Sequence, residues 1–360
     1  MIFRKSLLRE LVTVATAAFL VLLGISITTQ LVRLLGQAAT GAITSVSVAA
    51  LLGFAVVNYL PVLLSLTVFI AVLMALSRSY RDSEMIVWFS SGLGLTQWIR
   101  PVLAFAVPLV LVIALLSLLL TPWAVAKSEE LLRQMEGRDD VAAITPGVFR
   151  ESNQAERVYF VEEVAGEQNT VANVFVSSSQ LKKQGVVVAA RGFREEAPNG
   201  DRFLVLLNGR RYEGEPGTAE YRIYQFERYA MRIDSREAQA ARAPNTKAMS
   251  TLQLLSNRSP VNLAELSWRI GLPVSALVLA LLAIPLSFVN PRAGRSMNLV
   301  FALLVYMVYS NLLSISQASI AQSRVSLVSG LWAVHAIMLV LLLVMFYRRL
   351  TVFSLFRFVR

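Results

Sequence analysis

The sequence predicts an α-helical polytopic membrane protein: six transmembrane helices, three before and three after an inserted extracytoplasmic antiparallel β domain. Three observations carry this. Of 360 residues, 56% are hydrophobic and 16% charged, more apolar than a water-soluble chain of this size. The apolar residues gather in six runs of about 20 or more, the length at which a helix crosses a bilayer. Between the third and fourth runs lies one long polar stretch, rich in Val, Phe and Tyr in short alternating segments. The expected divisions are a membrane half over 1–122, a β domain over 123–267 and a second membrane half over 268–360.

In chain order, the spans fall at about Leu11–Leu35, Ala49–Leu76, Val102–Pro122, Ile270–Val289, Met297–Ile320 and Leu327–Tyr347. The N-terminal MIFRKSLLRE resembles a signal-peptide n-region, but the run after it is too long, so it reads as an uncleaved first span. Pro61, Pro108, Pro273 and Pro285 lie in or at the ends of spans, where neighbouring helices make kinks tolerable. Between the second and third spans, Ser77–Arg100 predicts a short amphipathic helix over about 79–92. Ser79 and Asp82 have capping-box spacing, Tyr80, Val87, Trp88 and Ser91 share one side, and Gly92 and Gly94 stop it. Such a helix lies on lipid or docks a motor protein.

The stretch 123–267 reads as β at Arg157–Val164, Thr170–Ser178, Gly185–Arg191, Arg202–Leu207 and Glu220–Ile233, with turns at Pro198-Asn199-Gly200-Asp201 and Asn208-Gly209. These strands predict a sandwich or roll. Ala126–Met135 continues the third span as helix, and Ser235–Pro260 reads as a polar linker.

Charge sets the orientation. Residues 124–267 hold 19 basic and 20 acidic side chains, so the formal +11 belongs to the membrane flanks, and a nucleic-acid partner is excluded. Of 15 basic residues elsewhere, Arg4, Lys5, Arg9, Arg78, Arg81, Arg100, Arg292, Arg295, Arg348, Arg349, Arg357 and Arg360 fall on one side; Arg33, Arg269 and Arg324 fall near the other. By the positive-inside rule both termini and the Ser77–Arg100 loop are cytoplasmic, and the β domain is outside.

Nothing in the pattern speaks for catalysis. The single histidine, His335, sits in an apolar span; there is no cysteine, and no glycine precedes a lysine, which rules out a Walker phosphate loop. Any ATP-driven work needs an ATPase on another chain. Two polar stripes within spans are more informative: Ser26, Gln30, Arg33 and Gln37 on the first, and Tyr306, Ser310, Ser314 and Gln317 on the fifth. They read either as helix–helix hydrogen bonding with a snorkelling Arg33 or as the border of a cavity in which Arg33 pairs an anionic headgroup.

SRSYRDSEMIVWFSSGLG together with IPLSFVNPRAGRSMNLVFALLVYMVYSNL resembles the LptF/LptG family of lipopolysaccharide-export permeases, YRDSEM being closer to the F branch, and the three-span, β-domain, three-span order agrees over the whole chain. The resemblance implies an ABC-type transport subunit of the bacterial inner membrane with a periplasmic jellyroll-like domain. It implies a heterodimer with an LptG-like sister on an LptB-like ATPase dimer, and an LptC-like bitopic partner. Lipopolysaccharide would be the cargo, ATP and Mg²⁺ would sit on the partner ATPase, and no cofactor or metal would sit on this chain. The loop helix becomes the coupling helix, with Glu84 as the acidic contact to the ATPase, flanked by Tyr80, Arg81, Val87 and Trp88. Arg33 takes a basic position facing lipid A phosphates, with Gln30 where a second base is expected, and the first and fifth spans wall the cavity. Two other classes fit the residues alone: a permease-like mechanotransmitter that moves no lipid, and a membrane scaffold that recruits partners. Arg33→Glu is expected to weaken photocrosslinking to lipid with assembly intact; unchanged crosslinking would make Arg33 a snorkelling anchor.

Overall fold

The computed structural model describes residues 2–39, 43–142, 150–152, 157–165, 170–180, 183–197, 202–214, 221–234, 245–288 and 295–350. The expected turn at Pro198-Asn199-Gly200-Asp201, residues 289–294 within IPLSFVNPRAGRSMNLVFALLVYMVYSNL (Arg292 among them), and Arg357 and Arg360 lie outside them. The chain divides into two compact units, Met1–Leu132 with Asn245–Arg360, and Arg133–Pro244. The inserted unit is narrower than 123–267. At its start the third span runs on as helix; at its end residues 245–267 already pack as part of the helical unit.

The helical unit consists of α1 (Ile2–Ala39), α2 (Val48–Arg81), α3 (Glu84–Ser90), α4 (Ile99–Leu115), α5 (Thr121–Ala142), α6 (Thr251–Ser256), α7 (Pro260–Leu286), α8 (Arg295–Ala321) and α9 (Leu327–Leu350). A π-helical turn, Leu116–Leu120, joins α4 to α5 without a break. Among the described residues six helical stretches are long and apolar enough to span a membrane, matching the six runs read from the sequence. The expected linker after the insert instead holds α6, started by a capping box in which Ser250 and Gln253 bond reciprocally. Ser259 accepts from the Asn262 amide, with Pro260 pre-set for the first turn, and so starts α7.

α2 and α7 are the most buried spans and α1 the least. Small residues explain why α7 sits centrally: Gly271, Ser275, Ala276, Ala280 and Ala283 let neighbouring backbones approach. The core joins Leu7 and Leu11 of α1, Phe69, Leu73 and Leu76 of α2, Met85 of α3, Trp98, Leu279 and Leu282 of α7, and Tyr309 and Met338. Several serine and threonine hydroxyls on these helices return to their own backbone, as Thr67 does to the Leu63 carbonyl at 2.7 Å.

The inserted unit holds β1 (Arg150–Ser152), β2 (Arg157–Ala165), β3 (Thr170–Gln180), β4 (Lys183–Glu196), β5 (Arg202–Gly214) and β6 (Tyr221–Asp234), all in one antiparallel sheet in sequence order. The β character and antiparallel pairing are as read. The described strands form a single meander and no second sheet. One face buries Val171, Val174, Val176, Val187, Ala189, Leu204, Leu206 and Met231.

Asn208-Gly209, expected as a turn, lies inside β5. Its turn chemistry serves another purpose. Asn173 and Asn208 both take left-handed φ, 50° and 53°, within strands. The ladder skips one pair at the same level on each strand: Glu162 against Asn173, Asn173 against Ala190, Ala190 against Asn208, and Asn208 against Glu227. This unpaired row creases the sheet across five strands and shifts the alternation by one, so Val171 and Val174 bury on the same face. A groove of about 1120 Å³ lies over the crease, lined by residues that include Phe160, Asn173, Ala190, Asn208 and Phe226.

Gly209 is required there: a Cβ would stand 2.5 Å from the Val188 carbonyl oxygen and 2.5 Å from Phe226 Cζ. Gly209→Ala is therefore expected to cost about 1–3 kcal/mol of insert stability, read as a lower thermal midpoint and faster proteolysis of 133–244 in detergent. An unchanged midpoint would refute the close approach.

Candidate functional site

The candidate site is the corner where α2 ends. The sequence reading began a new helix at Ser79; the structure keeps residues 79–81 in the last turn of α2 and starts α3 only at Glu84. Ser79 is buried and Asp82 closes α2, so the Ser79–Asp82 capping box does not form. Burial decides this, since continuing α2 keeps Ala75, Leu76 and Ser79 against the core. The chain then turns at Ser83, in the left-handed region at φ 60°, and α3 runs for seven residues.

Arg78 holds this corner together. Its Nε and Nη2 donate to both carboxylate oxygens of Glu10 on α1, the second at 2.7 Å, in the bidentate fork that suits a guanidinium. Its Nη1 donates to Asp82 at 3.0 Å and to Glu84 at 3.2 Å. One cation thus gathers three carboxylates from α1, the turn and α3. Glu10, Asp82 and Glu84 are the only acidic residues of the chain outside 124–267. All three of these acids therefore gather at one corner of a strongly basic flank.

Apolar contacts seat the same corner. Met85 is buried beneath α3, and Trp88, one turn on, packs half-buried on the core. Tyr80 stacks edge-on to Phe288 just beyond α7, centroids 5.4 Å apart, and lies 6.4 Å from Phe89. The guanidinium of Arg349 on α9 lies 4.0 Å over the Phe288 ring. The Ser77 hydroxyl donates to the Ser287 carbonyl at 3.1 Å. Ile86, Val87 and Phe89 remain exposed.

The expected coupling residues are therefore divided. Tyr80 and Arg81 belong to α2, and Arg81 Nε is buried without a hydrogen-bond partner among the described residues. Glu84 opens α3 beside Arg78; Val87 faces outward and Trp88 inward, so Tyr80, Val87 and Trp88 do not form one face. Sequence reasoning missed Glu10, Arg78, Phe288 and Arg349. The signal for the first two was present in the scarcity of acids along the membrane flanks.

The cavity stripes are also divided. On α1, Arg33 is exposed and Ser26, Gln30 and Gln37 are half-buried, while the helix packs on α2 and α4. On α8, Tyr306 is buried against α2, its hydroxyl donating to the Val62 carbonyl at 3.4 Å. Ser310 and Gln317 are half-buried; Ser314 is exposed and donates to the Ser310 carbonyl at 3.0 Å. His335 accepts or donates at Nδ1 with the Tyr309 hydroxyl, 2.6 Å away, inside the bundle. Among the described residues no cluster of three His, Cys, Asp or Glu is placed to hold a metal ion.

Residues 5–348 match the family described as lipopolysaccharide export system permease LptF/LptG. The chain belongs to that family. It is similar to the lipopolysaccharide export system permease protein LptF of Escherichia coli strain K12, 29% identical over 348 residues, covering 96% of this chain and 94% of the relative. It is similar to the protein of the same name from Shigella flexneri at the same identity and coverage. The family match and the six apolar helices make this a multi-pass membrane protein.

A double-mutant cycle of Glu10→Gln and Arg78→Met is expected to give a coupling free energy of about 0.5–1 kcal/mol, modest because the guanidinium is partly exposed, and smaller at high salt. A coupling of zero would show that the fork does not join α1 to α2.

Proposed function

We propose that this chain is the LptF-like permease half of an ABC-type lipopolysaccharide exporter. It would draw the lipid from the inner membrane and pass it to a periplasmic β-jellyroll bridge built on its own insert. The match over 5–348, through both membrane halves and the insert, carries this reading. It supports the exporter over a mechanotransmitter that moves no lipid and over a passive scaffold.

Both termini and α3 face the cytoplasm in this proposal, on the strength of the twelve basic residues gathered at that side. The partners are an LptG-like sister permease, an LptB-like ATPase dimer beneath α3 and an LptC-like bitopic protein. ATP and Mg²⁺ belong to the ATPase, and this chain is a transport subunit with no cofactor of its own. Glu84 offers the ATPase a carboxylate, and Ile86, Val87 and Phe89 offer it an apolar surface. Closure of the ATPase moves α3, and the Arg78 fork passes the movement to α1 through Glu10 and to α2 directly. The cavity bordered by Ser26, Gln30, Arg33 and Gln37 of α1 and by Tyr306, Ser310, Ser314 and Gln317 of α8 then shifts between open and collapsed states. Arg33 pairs a lipid phosphate at the outer end.

The test is copurification of the tagged chain from membranes with mass spectrometry of bound protein and lipid. A sister permease, a small ATPase and lipopolysaccharide are expected together; an ATPase without lipid would favour the mechanotransmitter. In the purified complex Glu84→Ala is expected to lower lipid release at least tenfold with assembly intact, and release at the wild-type rate would remove Glu84 from the coupling path.

A further inference from the structure

Arg269, on α7, is among the largest fully buried side chains of the protein, at 1% exposure. Four of its five N–H donors are engaged. Nε donates to Glu265 at 3.0 Å, Nη1 to the Thr251 hydroxyl at 3.1 Å, and Nη2 to the carbonyls of Thr246 and Lys247 at 3.2 and 3.1 Å. Residues 246, 247 and 251 belong to the strap by which the chain returns from the inserted unit. The Thr251 hydroxyl donates onward to the Leu118 carbonyl at 2.5 Å, and Leu118 lies in the π-helical turn between α4 and α5. Ser117 in the same turn donates to the Arg269 carbonyl at 3.2 Å. Just beyond, Asn245 donates to Glu129 on α5.

A buried ion pair is a weak device for stability, since apolar side chains of the same volume often do as well. What apolar packing cannot supply is a fork of donors aimed at two strap carbonyls and a hydroxyl. A π turn, for its part, widens the helix and offers a carbonyl to an outside donor, an arrangement frequent where helices work. The two features meet at Thr251, and through it the strap, the third span and the fourth span are bonded to one another.

We propose that Arg269 is a positioning residue that, with Thr251 and the π turn at Leu118, locks the returning strap to α4 and α7 so that movement of these spans reaches the inserted unit. This rests on the exporter reading. The strap then serves as the output of the membrane unit, in series with the Arg78 corner that receives the input.

The experiment uses the complete complex with its ATPase in proteoliposomes containing lipopolysaccharide. The chain has no cysteine, so spin labels on Leu111→Cys of α4 and Ile223→Cys of β6, both exposed, report a single distance. In the wild type, ATP is expected to change that distance. Thr251→Val and Arg269→Lys should abolish the change and lower lipid release at least tenfold, with ATP hydrolysis within twofold of wild type. Thr251→Ser, which keeps the hydroxyl, should behave as wild type. If Thr251→Val shows the wild-type distance change, or if hydrolysis and release fall in proportion, the clamp holds the fold alone and the proposal is overturned. A wild-type complex whose distance responds to ATP but which releases no lipid would sink the exporter reading and leave the clamp standing.

Discussion

The end of the second span depends on one guanidinium. Arg78 is the point at which α1, the turn after α2 and the start of α3 meet, because each contributes a carboxylate and none of these segments carries another acid. A carboxylate on α1 beside the basic cytoplasmic flank has many cations to choose from. The fork geometry on Arg78 selects one, since two parallel N–H donors match two oxygens in a way a lysine ammonium cannot. α3 is too short to hold itself as a helix. It stands because Met85 and Trp88 anchor it from below and Glu84 is drawn to Arg78 from the side.

The two polar hubs of the membrane unit follow opposite rules. At Arg269 nearly every donor is satisfied and the site is closed to solvent. At Arg78 three carboxylates share one guanidinium, the groups are partly exposed, and an apolar surface lies beside them. A closed hub fixes geometry within a chain. An open hub with partly exposed carboxylates has the make-up of a surface that meets a partner and releases it again.

How much of this could be read in the sequence depends on the range of the interaction. The six spans were legible because a run of apolar residues is a one-dimensional signal with a length set by the bilayer. The strands were legible by alternation, except at Asn173 and Asn208, where a left-handed residue shifts the phase; Asn208-Gly209 carries the chemistry of a hairpin and serves a crease instead. The break between α2 and α3 was misplaced because the Ser79–Asp82 spacing is a local cue, whereas burial of Ser79 and the pull of Arg78 on Asp82 act through the fold. Arg78 and Arg269 were both visible as charges and were counted as membrane flanks. Asp82 and Glu265 stand at helical i,i+4 spacing from them, but the partners that tie segments together lie 68 residues away on α1 and 18 to 23 residues back in the strap, distances at which no motif operates.

The crease through the insert also has a mechanical meaning. A regular antiparallel sheet resists bending because every strand is bonded to its neighbours along its whole length. Here one line, from Glu162 to Glu227, is skipped by the pairing on every strand it crosses, while paired residues resume on either side. Such a sheet is soft about that one axis and stiff about all others, like a board scored across its grain. Two stiff panels then share a compliant fold line, and the groove above it widens or narrows as the angle between them changes, with no rearrangement of the strands.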